Sequence, residues 1–380
     1  PITAQDVAFS YNTFLEHGTP GQKMYYKKVE KVDILGNHKI KFSFKKVDGK
    51  YDAEMPLIIG VMAIISEQDL KGKDFEKTGL IPLLSSGPYK VAKVEAGRSI
   101  IYQRDSNYWA KDLPANKGYF NFNTLRFDFY KNAAVAFEAF KAGDAYTREE
   151  ADPGNWAQKY DFPAVKKGLV RCVEIPHQHQ VGMQAFAFNT RREIFQDPRV
   201  RRALTYAFDF DWLNKSMFHG ALTRTTSFFD NTELASKDLP QGQELALLEP
   251  FRAQLAKEVF EKPYTLPTFE NGNRENLKIA QELLKEAGWV TKGGKLVNAK
   301  TGKPFTFEIL LNVPENEKIA LAFARNLKQL GIQAIPRTVD ASQYENRRVN
   351  MNFDTIIHFW GHTLSPGNEQ SFYWSSKAAD

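Results

Sequence analysis

Apolar residues in the last third of the chain recur with two alternating periods. Phe305, Phe307, Ile309 and Leu311 occupy every second position, the period of a strand. Ile319, Phe323, Leu327 and Leu330 then follow helical spacing over 315–330, and Gly331 supplies the stop. A second strand is predicted over 332–339, a helix capped by Asp340 and running to about 349, and a third strand over 353–360. Short connections between such units give right-handed crossovers and a parallel sheet. The 353–360 run, rich in β-branched and aromatic residues, reads as a strand buried on both faces. Gly361 breaks it, and Ser365-Pro-Gly-Asn368 is turn chemistry. Strand C-termini face the ligand crevice in open α/β sheets, so the loop after Trp360 is the predicted rim.

The rest of the chain is patterned less regularly. A helix is expected from Thr3 to about 16, then a hairpin pairing 29–34 with 39–44 around Gly36-Asn37. A second hairpin pairs 89–94 with 99–104 across Gly97, followed by a strand over 124–130 and a helix over 133–142 ended by Gly143. Residues 183–189 alternate as a strand. Asp197-Pro198 opens a helix that buries Val200, Ala203, Leu204, Ala207 and Phe208, and Asp209 caps the next. Residues 213–270 read as irregular, and Asn273 caps a helix over 274–287. The longest apolar run, 55–65, is 11 residues and contains Pro56 and Gly60. A membrane-spanning helix needs about 20, so this is a core segment.

Composition narrows the class. The 380 residues suffice for two or three domains, and 42% hydrophobic with 25% charged residues describes a folded globular chain. The net charge of +6 is spread without a block of like charges, which disfavours nucleic acid as a partner. A single cysteine, Cys172, leaves no intrachain disulfide. The chain opens at a helix cap and ends without terminal logic, so it reads as the middle of a longer protein.

Catalytic signatures are lacking: no nucleophile elbow, phosphate loop or zinc-protease motif occurs. His177 and His179 have no further metal ligand at suitable spacing, and surface histidines are the plain reading. His358 and Trp360 share one face of the predicted strand. The doubled arginines Arg191-Arg192 and Arg347-Arg348 are ordinary surface charges unless they lie beside the rim, where a guanidinium fork fits a carboxylate or phosphate. The strand-plus-loop pattern places a ligand against 359–362 and the 183–192 segment. Candidate contacts are therefore Phe359, Trp360, Gly361, His362, Asn368 and Glu369, with Met183, Gln184, Phe186, Asn189 and Arg191 beside them, and Arg347 or Arg348 meeting a negative group.

Four stretches, in this order, make the chain resemble the extracellular solute-binding proteins of dipeptide and oligopeptide ABC importers. They are Ile2-Thr-Ala-Gln-Asp-Val7; Ser86-Gly-Pro-Tyr89 with Arg104-Asp-Ser-Asn-Tyr-Trp109; Phe195-Gln-Asp-Pro-Arg-Val-Arg-Arg-Ala-Leu204; and Leu283-Leu-Lys-Glu-Ala-Gly288. Phe137-Glu-Ala-Phe-Lys-Ala-Gly-Asp144, Asn189-Thr-Arg-Arg192 and Ser365-Pro-Gly-Asn-Glu369 are similar to the YejA-like subgroup, linked to oligopeptide and microcin C uptake.

The resemblance implies an α/β, two-lobed periplasmic binding protein fold (type II, cluster C) with an extra domain on the first lobe. It puts 1–84 in that extra domain, 85–209 in the first lobe and 210–380 in the second. It further implies a periplasmic, monomeric, non-enzymatic protein without cofactor or metal. Such a protein holds a peptide or peptide conjugate as an added strand along 359–361 and hands it to an inner-membrane permease. A non-peptide solute (a sugar-phosphate conjugate, opine or metal chelate) is the alternative within that fold, and a secreted hydrolase the alternative class. One departure stands out: the family's aspartate after the tryptophan, partner of a ligand amine, is missing, and no acid lies between Trp360 and Glu369.

Overall fold

A computed structural model describes residues 2–47, 49–76, 82–269, 272–367 and 369–376. The chain divides into two compact units, one of residues 1–148 with 367–380 and the other of residues 149–366. These divisions fall elsewhere than the boundaries at 84/85 and 209/210 drawn from the resemblance. The cause is pairing: the Met183–Phe188 strand joins the Thr355–Trp360 strand, and the Pro198–Tyr206 helix packs on Arg274–Glu286, so 183–206 coheres with the C-terminal half of the chain.

The first unit opens with the helix Ala4–His17, started where the Asp6 carboxylate accepts from the backbone N–H and hydroxyl of Thr3 at 2.9 and 3.0 Å. Tyr11 and Phe14 on its inner face pack with Tyr26, Val29 and Met55. The expected hairpins form as Val29–Gly36 with Lys39–Phe44 and Tyr89–Glu95 with Ser99–Arg104, and Thr124–Asp128 adds antiparallel to the latter. The 55–65 run is only half a core segment. Met55, Met62 and Ile65 are buried, but Leu57 and Val61 are exposed, because a short helix, Met55–Gly60, turns one side outward.

In the second unit the expected β-α-β-α-β run is present. Thr306–Leu311 lies between two parallel neighbours, Gln333–Thr338 and Thr355–Trp360. Glu317–Gln329 and Ala341–Val349 are the crossover helices, the second begun by Asp340, whose carboxylate accepts from Gln343 N–H at 2.9 Å. Gly331 adopts φ +79°, and a Cβ there would collide with the backbone of 294–296, so glycine is required twice over. Asn273 precedes the Arg274–Glu286 helix without a side-chain cap, because it is itself turned into helical conformation (φ −98°, ψ −1°).

One core fills this unit. Phe195, Phe305, Phe307, Ile309, Phe323 and Leu327 are all but inaccessible, and the inner faces of Pro198–Tyr206 and Arg274–Glu286 close over them. Val200, Ala203, Leu204 and Ala207 are buried as the helical spacing requires, whereas Phe208 is only partly so. Thr355–Trp360 departs from a strand buried throughout: Thr355 and Ile356 are buried, the middle is half-buried and Phe359 is 56% exposed. The strand outruns the core, and its end is the candidate site.

Candidate functional site at the end of a strand

The Thr355–Trp360 strand has unequal neighbours. On one side Met183–Phe188 runs antiparallel along its whole length, from Phe188 opposite Thr355 to Met183 opposite Trp360. On the other, Thr306–Leu311 pairs only at Thr355 and Ile356. From Ile357 to Trp360 that second side carries no strand among the described residues, although the Tyr344 hydroxyl comes within 3.5 Å of the Ile357 carbonyl. A half-open ladder at the C-terminal rim thus offers backbone donors and acceptors.

Aromatic rings gather at this end. His358 and Trp360 stand edge to face with centroids 4.6 Å apart, and Phe228 is likewise edge to face with Trp360 at 5.8 Å. Phe229 stacks on His362 at 5.1 Å, nearly parallel. Two segments hold these positions. Gln180 Nε2 donates to the His362 carbonyl at 3.3 Å, and Val181 N–H donates to the Asp230 carbonyl at 3.1 Å. Asp230 in turn fixes its own loop, accepting from Thr226 N–H at 2.8 Å. Gly182 passes so close that a Cβ would strike the Trp360 carbonyl and the Phe359 ring.

Of the expected contacts, Met183 and Gln184 lie opposite Trp360 and Phe359, at the rim. Phe186 instead points into the core, against Phe208 and Phe323 at 5.7 and 4.8 Å. Asn189 and Arg191 are carried to the far end, since the strand that leads to them runs antiparallel to Thr355–Trp360. There the Asn189 amide donates to the Met351 and Phe353 carbonyls at 3.0 and 2.8 Å and its oxygen accepts from Arg191 N–H, a structural brace.

Arg347 is likewise misplaced by the rim reading. A crossover helix runs back against its strands, so its last turn meets their N-terminal ends. Arg347 Nε donates to the Asn352 carbonyl at 2.9 Å, and its guanidinium pairs with Glu308 at 2.6 Å. Arg348 pairs with Glu345 at 2.8 Å and is near enough to His358 to disfavour its protonation. Asn368 lies outside the described residues. Glu369 belongs to the other unit, where its carboxylate accepts from Gly367 N–H at 2.9 Å.

Phe228 and Phe229 were not foreseen from the sequence; they sit in the irregular 213–270 stretch with no period to mark them. Their only signal is a pair of adjacent phenylalanines in a loop of Thr, Ser, Asp and Asn. No three His, Cys, Asp or Glu side chains are grouped to hold a metal among the described residues. No described helix is long and apolar enough to cross a membrane.

Burial first, and then the Arg348 charge, hold the His358 imidazole below its usual pKa. The unfolded chain therefore takes up this proton first as pH falls. His358 should cost stability from about pH 6.5 down to its folded pKa, with no further loss below it. Urea melts of wild type and His358→Gln between pH 8 and 5 should diverge in that window, wild type losing more. Parallel curves would show that the imidazole is not held down by its surroundings.

Comparison with known proteins agrees with this architecture. The family model described as bacterial extracellular solute-binding proteins, family 5 Middle, matches residues 1–380. A probable peptide-binding protein YejA of Agrobacterium fabrum is 42% identical over 391 residues, covering 100% of this chain and 63% of its own length. YejA of Escherichia coli is 38% identical over 379 residues, covering 99% of this chain and 62% of its own. The chain thus spans about three-fifths of the length of these relatives. Among solved structures, the oligopeptide-binding protein AppA from Bacillus subtilis, in complex with a nonapeptide, superposes with a TM-score of 0.68 at 20% identity, over 96% of this chain and 65% of AppA. That likeness shows the shared two-lobed α/β fold, and with the full-length family match it settles descent: this chain belongs to the family 5 bacterial extracellular solute-binding proteins.

Proposed function

We propose that the chain is the ligand-holding part of a periplasmic binding protein that captures oligopeptides or peptide conjugates for an inner-membrane ABC permease. The observation that carries this reading is the open side of Thr355–Trp360 beyond Ile356. A strand edge at a sheet's ligand-facing rim is completed by another extended backbone, and a peptide supplies one. The nonapeptide of AppA and the naming of the Agrobacterium relative as peptide-binding point the same way. Phe359, Trp360, Gly361 and His362 would line the added strand with Met183 and Gln184 across from them. Nothing in the fold favours an enzyme over a binder.

Native mass spectrometry of the full-length protein as purified from cells tests the reading, followed by exposure to a mixed peptide library. Retained, intact peptides are expected. Steady cleavage of the library would make it a hydrolase, and retention of a non-peptide solute with indifference to peptides would move it to another ligand class.

A further inference from the structure

His362 is a buried polar group that the surrounding fold leaves unexplained. Both of its ring nitrogens are shut from solvent, and neither has a hydrogen-bond partner among the described residues. The ring lies on Phe229, and only the residue's main chain is tied down, through Gln180. A neutral imidazole carries one donor and one acceptor, and leaving both unpaired inside a protein is costly. Thr355 Oγ1 shares this lack of a partner but lies at the other end of the strand, away from the rim. At a ligand-facing rim, one explanation for such a group is a partner that arrives with the ligand.

We propose that His362 is a specificity residue that pairs with uncharged backbone groups of the ligand after the ring turns toward it, one nitrogen donating to a carbonyl and the other accepting from the N–H of a different peptide unit. The proposal rests on the peptide reading above and names the ligand group recognised. A peptide backbone presents carbonyls and N–H groups on successive units, so the donor and the acceptor of the imidazole can each meet one. An ammonium has no such match. Residues 361–366 contain no acid, and Asp230, beside Phe229, already accepts from the backbone and hydroxyl of Thr226 at 2.8 and 3.3 Å. The site therefore reads the peptide backbone and is indifferent to a free amino end.

A library of tetrapeptides and its N-acetylated twin, titrated into full-length protein, tests this, with melting temperature recorded for wild type, His362→Phe and His362→Gln. Wild type should bind the two libraries within about threefold of each other. His362→Phe keeps the stack on Phe229 and removes the orphaned nitrogens, so it should melt higher by about 1–3 °C yet bind both libraries at least tenfold more weakly. His362→Gln, which keeps a donor and an acceptor, should recover part of the binding. Unchanged binding by His362→Phe, or a lower melting temperature for it, overturns the proposal by making the ring structural. A tenfold preference for free amines overturns the uncharged-group assignment. If wild type binds neither library, the peptide reading itself falls, and this inference with it.

Discussion

Replacing Trp360 with alanine should weaken ligand binding by about 2 kcal/mol or more, some thirtyfold in Kd. The indole packs edge to face with both His358 and Phe228, at the end of the stretch beyond Ile356 where Thr355–Trp360 has no second strand neighbour among the described residues. Its removal takes away the largest ring at the rim and lets the two flanking rings settle into the gap. The strand itself should persist, because its pairing with Met183–Phe188 is backbone to backbone and needs no indole. Calorimetry with the ligand found by native mass spectrometry, alongside a melting curve, separates the two effects. An unaltered Kd in a folded variant would remove Trp360 from the site.

A larger effect, on stability, is expected from Phe195→Ala, at about 3–5 kcal/mol. Phe195 is fully buried, with Phe188 at 5.0 Å, Phe307 at 5.2 Å and Phe305 at 6.3 Å around it. It joins the strand that supports the rim to the central strand and to the Pro198–Tyr206 helix behind it. Rings on several sides cannot all move inward, so the cavity stays open and the full cost is paid. Urea denaturation would read this as a lower midpoint at unchanged slope. A loss below 1 kcal/mol would mean that the core closes over the gap.

Sequence legibility followed periodicity. Between 305 and 360 the strands and helices have regular apolar spacing and short loops, and both the elements and the parallel direction of the three strands could be read. Strand direction is a different matter, because alternation is the same in either sense. Met183–Phe188 was recognisable as a strand, yet its antiparallel course sends Asn189 and Arg191 away from Trp360 while keeping Met183 beside it. The place of Arg347 is implied by the connection itself, since a helix joining two parallel strands must return to their N-terminal end. Phe228 and Phe229 carry no period at all; a loop that meets the site through tertiary contact leaves no local signal of it.

The half-open ladder also bears on how these molecules behave toward one another. An exposed strand edge is a template for pairing between copies, and long flat edges drive aggregation. Here the opening spans only Ile357 to Trp360, about 13 Å of strand at ~3.3 Å per residue. The Tyr344 hydroxyl sits at its inner end, and the chain turns away at Gly361. Such an edge is long enough to seat a short extended guest and too short to nucleate a growing sheet. The same few residues therefore limit how far one copy can pair edge to edge with another.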